Sequence, residues 1–452
     1  MLWERGMTVN NKACIVGAGP GGLALARTFK LLGIDFDCFE RHSDVGGIWD
    51  ADNPGSPMYD SAHFISSKTQ SHYLGFPMPA DYPDYPSGRQ ILSYMRAFAR
   101  EFGLYGDITF NTEVKETRFE DGGWTVTLGT GEKRRYRWLI CANGTNWHPS
   151  LPQFEGSFDG EIRHANTFRS PDEFKGKRVL VIGAGNSGCD IACDAAQSAD
   201  AAFISLRRGY HFIPKHIFGK PADVFAHEGP HMPMWLTQII FGAMLRLLNG
   251  DLTRLGLPAP DHKVFASHPI VNTQLLHYLS HGDIKAKGDI ARLDGPDVVF
   301  KDGSRETVDL ILCATGYRWN IPYVEEKEFS RRGGRPDLFM NLFSRENPQL
   351  FAIGFMETNG GAYKLFDNMA DLIARAILAE AQGGKEAARW EKALTTLRPD
   401  LSGGVKYVGS DRHATYVNID AYQKAMKGLR KTMRWPEIPD GHYESLRAKA
   451  AA

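Results

Sequence analysis

Two glycine-rich runs hold the residues of this chain whose types and spacing can do chemistry. Gly17-Ala18-Gly19-Pro20-Gly21-Gly22 and Gly183-Ala184-Gly185-Asn186-Ser187-Gly188 both read GxGxxG. In such a run the first glycine permits a tight turn and the second lets a pyrophosphate approach the backbone. The third lets a helix pack on the preceding strand. Each run comes after a short apolar stretch, Lys12 to Val16 and Arg178 to Ile182, and leads into a helical pattern. That order sets a helix N-terminus, with free N–H groups and a positive dipole end, against phosphates.

The charge at the end of the second strand separates the two units. In the first unit that strand, Asp35 to Phe39, ends in Glu40, a carboxylate able to accept hydrogen bonds from an unphosphorylated ribose. In the other unit it runs from Ala201 to Leu206 and ends in Arg207-Arg208, and guanidinium groups there favour a ribose 2′-phosphate. The first unit therefore reads as an FAD site and the second as an NADP site. The FAD candidates are Gly17, Gly19, Pro20, Gly22 and Glu40, then Gly47, Ile48 and Trp49 of the Gly46-Gly47-Ile48-Trp49 run. Gly-Gly permits close approach, and Trp49 could flank an aromatic ring. Ser66, Val114 and Gly316 complete that set; Gly183, Gly185, Asn186, Ser187, Gly188, Arg207 and Arg208 form the NADP set.

These units need elements to carry them. At 452 residues the chain is too long for one ordinary core. It reads as α/β, with two Rossmann-like dinucleotide-binding domains. An FAD-binding domain of residues 8–168 and 305–452 is interrupted by an NADP-binding domain of residues 169–304, with a helical insertion at about 215–275. Trp235 to Leu248 is apolar nearly all round, and is expected to be buried or to line a substrate approach or a subunit contact such as a homodimer's. The tail from Lys385 reads as polar and helical in parts, without an anchor.

Composition excludes several classes. Lys+Arg and Asp+Glu balance at 53 each, so no global field recruits nucleic acid or an anionic membrane. The six cysteines show no CxxC, and the N-terminus has no apolar signal region. No stretch reaches the roughly 18 apolar residues of a membrane span. The expectation is a reduced, cytoplasmic protein. His211, His216, His227, His231, His262, His268, His277 and His281 are scattered and lack zinc-site partners or HExxH, so no metal is expected.

The order of motifs from about Lys12 to about Ile377 resembles the flavin-containing monooxygenases. The resemblance rests on the two glycine loops, on Gly46-Gly47-Ile48-Trp49 and on Ala314-Thr315-Gly316-Tyr317. Most specifically, Phe158, Gly160, His164 and Phe168 fit the family fingerprint FxGxxxHxxx(Y/F). The sister Baeyer–Villiger enzymes end that fingerprint in tryptophan, so Phe168 favours the branch oxygenating nitrogen and sulfur. The resemblance implies that NADPH reduces FAD and that O₂ forms a C4a-hydroperoxyflavin, which oxygenates a soft nucleophile of a small molecule. The absence of an acid–base pair or an activated nucleophile agrees with flavin-borne chemistry. His164 reads as a joint holding the two units in register rather than as a proton donor to the flavin. Baeyer–Villiger ketone oxygenation and aryl-pyruvate oxidative decarboxylation are the alternatives within the enzymes. A non-catalytic FAD/NADP-binding sensor is the alternative of another class.

One position departs from the family pattern. Many members carry Asn where this chain has Ile65, followed by Ser66 and Ser67. An aliphatic side chain donates no hydrogen bond, so either Ser66 substitutes as donor or coupling is poorer and more NADPH ends as hydrogen peroxide. If Ser66 is the donor, Ser66→Ala is expected to divert more NADPH to hydrogen peroxide, measured as peroxide released per product formed. Unchanged coupling would remove Ser66 from the site.

Overall fold

The computed structural model describes residues 11–229, 232–332, 335–439 and 441–451. The N-terminal residues inspected for a signal, His231 and Ala452 lie outside the described residues. Ten strands build two parallel sheets: β1 (Ala13–Val16), β2 (Phe36–Phe39), β3 (Ile108–Thr109), β4 (Trp138–Cys141), β5 (Glu161–His164), β6 (Arg178–Ile182), β7 (Ala201–Ser205), β8 (Ile284–Lys287), β9 (Leu310–Cys313) and β10 (Leu350–Ala352). The first sheet runs β10-β4-β1-β2-β3 and the second β5-β9-β6-β7-β8. In the first, Ile15 lies between Cys38 and Ile140; in the second, Val181 lies between Ile204 and Leu312.

Both central strands are apolar at every buried position because both faces are covered. Ala13 and Ile15 face the helical layer, whereas Cys14 and Val16 face an antiparallel layer built from Val114–Glu120, Gly123–Leu128 and Lys133–Tyr136. The second unit repeats this plan: Val179 and Val181 pack on helices, and Leu180 on strands Asp297–Phe300 and Ile290–Gly295. The helices are α1 (Pro20–Leu32), α2 (Gly88–Glu101), α3 (Asn186–Ser198), α4 (Ala222–Glu228), α5 (Met234–Asn249), α6 (Gln274–His281), α7 (Tyr363–Gln382), α8 (Gly384–Thr396), α9 (Ile419–Met433) and α10 (His442–Ala451). The two Rossmann-like units expected from the glycine loops are present.

Pairing moves the domain boundaries. β5 and β9, expected in the first domain, hydrogen-bond in the second sheet, and Gly156–Phe158 pairs with Leu293–Gly295. The second unit thus lies between the two crossings at His148–Pro149 and Tyr317–Arg318, which pair antiparallel with each other. β5 escaped notice because it is an edge strand whose Glu161 and Ile162 are exposed and only His164 is buried.

Two further expectations change. α5 is not buried: only Leu245 is, while Trp235 (62%) and Leu247 (86%) stand exposed. The tail is less polar in effect than in composition, since Trp390, Tyr422 and Tyr443 from its three helices are buried in the first unit.

The first unit is tied together by a buried charge. Arg27, on α1, is fully buried and its Nη2 donates to Asp367 Oδ1 of α7 at 2.5 Å. Its Nη1 donates to Leu74 O at 2.8 Å, and Asp367 Oδ2 accepts Leu74 N–H at 2.6 Å. The guanidinium lies 3.5 Å from the Tyr443 ring of α10 and 4.9 Å from Phe98 of α2. Burial pushes the Asp367 carboxyl up to about 6 against the opposing Arg27 charge. Removing one partner leaves an uncompensated buried charge, so Asp367→Asn or Arg27→Met is expected to cost about 3–5 kcal/mol. Urea denaturation would read it, and a loss below about 1 kcal/mol, the value of a surface pair, would contradict the arrangement.

Candidate active site

The two glycine loops are alike in their contacts. Gly17 (φ +110°) and Gly183 (φ +101°) sit in the left-handed region, where a Cβ would meet Ala142 O at 2.6 Å and Ala314 O at 2.7 Å. A Cβ on Gly22 would lie 1.9 Å from Gly17 O, and on Gly188 2.0 Å from Gly183 O. These four glycines are therefore demanded by packing alone. Gly19 and Gly185 are different. A Cβ on Gly19 would make ordinary contact with Gly47 at 3.6 Å, and one on Gly185 would meet nothing within 4 Å. Both are helix N-caps without a side-chain hydrogen bond, which leaves first-turn N–H groups facing open space.

Gly47 faces Gly19: a Cβ there would stand 3.0 Å from Gly19 Cα. Asn53 Nδ2 donates to Gly47 O at 3.2 Å and Ser56 Oγ to Ile48 O at 2.6 Å, fixing this turn. Half-buried Trp49 meets Phe64 edge-on at 5.3 Å, and Phe64 lies 5.4 Å from Tyr363 at the start of α7.

Glu40 is buried, and both its oxygens are engaged: Oε2 accepts Ala18 N–H at 2.7 Å and Oε1 accepts His42 N–H at 2.9 Å. It clamps the glycine loop to the end of β2, and its remaining lone pairs stay available to ribose hydroxyls. Beside it opens a cavity of about 410 Å³ bordered by Arg41, His42, Asn53, Asn111, Thr112 and Lys115, with Val114 buried at its edge. Arg41 had no sequence signal beyond its place next to Glu40; its guanidinium lies 4.2 Å from the Trp147 ring.

The NADP candidates divide. Arg207 is exposed and has no ion pair or hydrogen bond among the described residues. Arg208 pairs with Asp261 at 2.9 Å. Asn186 turns to the 269–271 loop, where its Oδ1 accepts Val271 N–H at 3.1 Å, and Ser187 is exposed. Among the described residues no cluster of His, Cys, Asp and Glu could hold a metal ion.

Between the units, His164 Nε2 donates to Gly316 O at 3.0 Å while Nδ1 accepts Asn166 N–H at 3.1 Å. Asn166 Oδ1 lies equally near Nδ1, at 3.1 Å, and burial lowers the His164 pKa, which favours the neutral imidazole. Gly316 O also accepts Ser150 N–H at 3.0 Å, so Gly316 lies at the crossing between the units, after β9 of the second sheet. Phe168 is fully buried, parallel to Phe174 at 4.8 Å and 5.7 Å from Tyr59. Two acids unseen in the sequence join here as well: Tyr59 donates to Asp190 at 3.2 Å and Ser61 to Asp194 at 2.5 Å. Ser66 is half-buried without a hydrogen bond among the described residues, while Ile65 is 39% exposed. The Ser67 amide, next along, donates to Asp223 of the insertion at 2.7 Å.

Comparison with known proteins decides the family. The flavin-binding monooxygenase-like family profile matches residues 10–384. The chain belongs to this family. It is 31% identical over 369 residues to the probable indole-3-pyruvate monooxygenase YUCCA9 of Arabidopsis thaliana, covering 78% of this chain and 86% of that protein. It is 30% identical over 430 residues to flavin-containing monooxygenase 5 of Oryctolagus cuniculus, covering 89% and 79%. The fold matches a solved oxidized steroid monooxygenase bound to NADP with a TM-score of 0.69 and 21% identity, over 94% of this chain and 98% of that one.

As a flavin monooxygenase the chain is an FAD-dependent, NADPH-using enzyme, and its residues fit both groups. The side-chain-free surface at Gly19 and Gly47, the uncapped start of α1 and the cavity beside Glu40 suit FAD. The uncapped start of α3 and the uncommitted Arg207 suit NADP. Because the protein tolerates a Cβ at Gly19 and Gly185, Gly19→Ala is expected to fold with an unchanged melting temperature of the apoprotein yet lose FAD, read as flavin absorbance per protein. Gly185→Ala should keep FAD and raise KM for NADPH. Gly22→Ala and Gly188→Ala should instead lower stability.

Proposed function

We propose that this flavin monooxygenase uses NADPH and O₂ to oxygenate a nitrogen or sulfur atom of a small molecule. Bound FAD supplies the oxygen-activating chemistry. The chain's own part is to bind, orient and keep dry. Trp49, Phe64 and Tyr363 form an aromatic wall beside the Gly47 turn that excludes water. His164, neutral and bonded at both ring nitrogens, holds the crossing between the units rather than moving a proton.

The fingerprint residue Phe168 supports nitrogen and sulfur over ketones as the atoms oxygenated. It fills the fingerprint position where Baeyer–Villiger enzymes have tryptophan, and its ring lies parallel to Phe174 at an interplanar angle of 3°. A larger indole would displace Phe174, so the pocket is built for phenylalanine. Aryl-pyruvate oxidative decarboxylation is the second reading. It is supported by the similarity to YUCCA9. All six cysteines are buried and unpaired, which supports a reducing, cytoplasmic setting, and the exposed apolar face of α5 supports a homodimer.

NADPH oxidation with product analysis against a thioether, a tertiary amine, a cyclic ketone and an aryl pyruvate tests the proposal. Sulfoxide and N-oxide are expected. Lactone as the main product would replace it with ketone oxygenation, and aryl acetate with CO₂ would establish the second reading.

A further inference from the structure

The 2′-phosphate site assigned to the end of β7 has one uncommitted cation, Arg207, because Arg208 is held by Asp261. A single exposed guanidinium binds a dianionic group weakly in water. A second cation comes from the opposite end of the chain. The segment 408–417 crosses from the first unit onto the second: Val408 N–H donates to Ala266 O at 2.8 Å. His268 N–H donates to His413 Nε2 at 3.0 Å, and His268 Nδ1 lies 3.1 Å from the Tyr416 hydroxyl. His268 and Tyr210 border one small recess together with His211 and His262. Tyr210 in turn stands two or three residues beyond Arg207 and Arg208. Arg412 therefore stands beside the end of β7.

Its orientation is set from the first unit. Arg412 Nε donates to Glu357, whose strand Glu357–Thr358 pairs with Tyr416–Val417. Only Nε is committed to Glu357, which leaves the two Nη groups without a hydrogen bond among the described residues, and the side chain is 43% exposed. The charges converge on one neighbour. Burial raises the Tyr210 phenol pKa, while Arg207, Arg208 and Arg412 together oppose it. His413, held neutral by burial with its pKa lowered to about 4, adds no competing charge.

We propose that Arg412 is the second guanidinium of the 2′-phosphate site, so that the C-terminal segment completes the NADPH site with Arg207. This rests on the assignment of the second unit to NADP. Arg207 binds the phosphate from the sheet end and Arg412 from the tail, held at its angle by Glu357. Cofactor choice then depends on residues more than 200 positions apart in the chain.

The test uses the FAD-loaded enzyme, with KM measured for NADPH and NADH. Inhibition by adenosine 2′,5′-bisphosphate is compared with that by 5′-AMP. Arg412→Ala is expected to move the ratio of the two KM values toward NADH about tenfold, the loss of one charge-assisted contact. It should weaken the bisphosphate but not 5′-AMP. Arg412→Lys should recover part of the loss, and Glu357→Gln should lie between Arg412→Ala and the parent. Arg207→Ala separates the two assignments. If it shifts the ratio and Arg412→Ala does not, the tail has no part in the site. If neither shifts it, the NADP assignment of the β7 end falls. Equal weakening of both inhibitors by Arg412→Ala, or loss of FAD, would show a structural role and overturn the proposal.

Discussion

A charge taken fully out of water must be answered where it lies, and Arg27 imposes that demand at the centre of the first unit. It sits seven residues into α1, whose first residue comes directly after the N-cap Gly19; Asp367 sits four residues into α7. The ion pair therefore ties the middle of α1 to the beginning of α7. Leu74 is bonded to both partners, which brings the loop carrying Ile65, Ser66 and Ser67 under the same constraint. The aromatic rings of Tyr443 and Phe98 close over the guanidinium, so α2 and α10 are fixed by the same charge. α1, the start of α7 and the loop leading to Leu74 are all joined through this one buried contact.

The rest of the site is built by repetition with one change. Each unit uses a first glycine against an alanine carbonyl, a third glycine against the first, and a second glycine left open. The difference lies at the end of the second strand. In one unit a buried carboxylate is held by two backbone amides; in the other an exposed guanidinium is left without a partner among the described residues. The two units thus differ by one charge reversal at the same place in the same scaffold.

That plan was legible because it is local. Gly17 to Glu40, and Gly183 to Arg208, each span one strand–helix–strand unit, and the residue types are dictated by turn geometry and charge within that span. Features made by residues distant in the chain were not. β5 reads as loop because an edge strand with Glu161 and Ile162 in solvent needs no apolar alternation. Arg27 reads as one more helical residue, since nothing near it announces an acid 340 positions away. Tyr59, Ser61, Asp190 and Asp194 meet only when α3 is laid against the 59–63 loop. For α5, apolar composition left burial and a subunit contact both open, and among the described residues only Leu245 of that helix is buried.

The two chain crossings between the units run side by side, with Tyr317 opposite Pro149 and Arg318 opposite His148. Two separate tethers would allow the units to drift apart or slide, but a paired ribbon behaves as a single axle. Gly316 O, gripped by His164 and Ser150, pins one end of it. Away from that axle, Ser67 reaches Asp223, Tyr85 donates to Lys215 O, and Asp84 faces His216 at 3.1 Å, all of them polar contacts between a loop and the helical insertion. The second unit is thus fastened to the first at two separate places, the ribbon and the insertion.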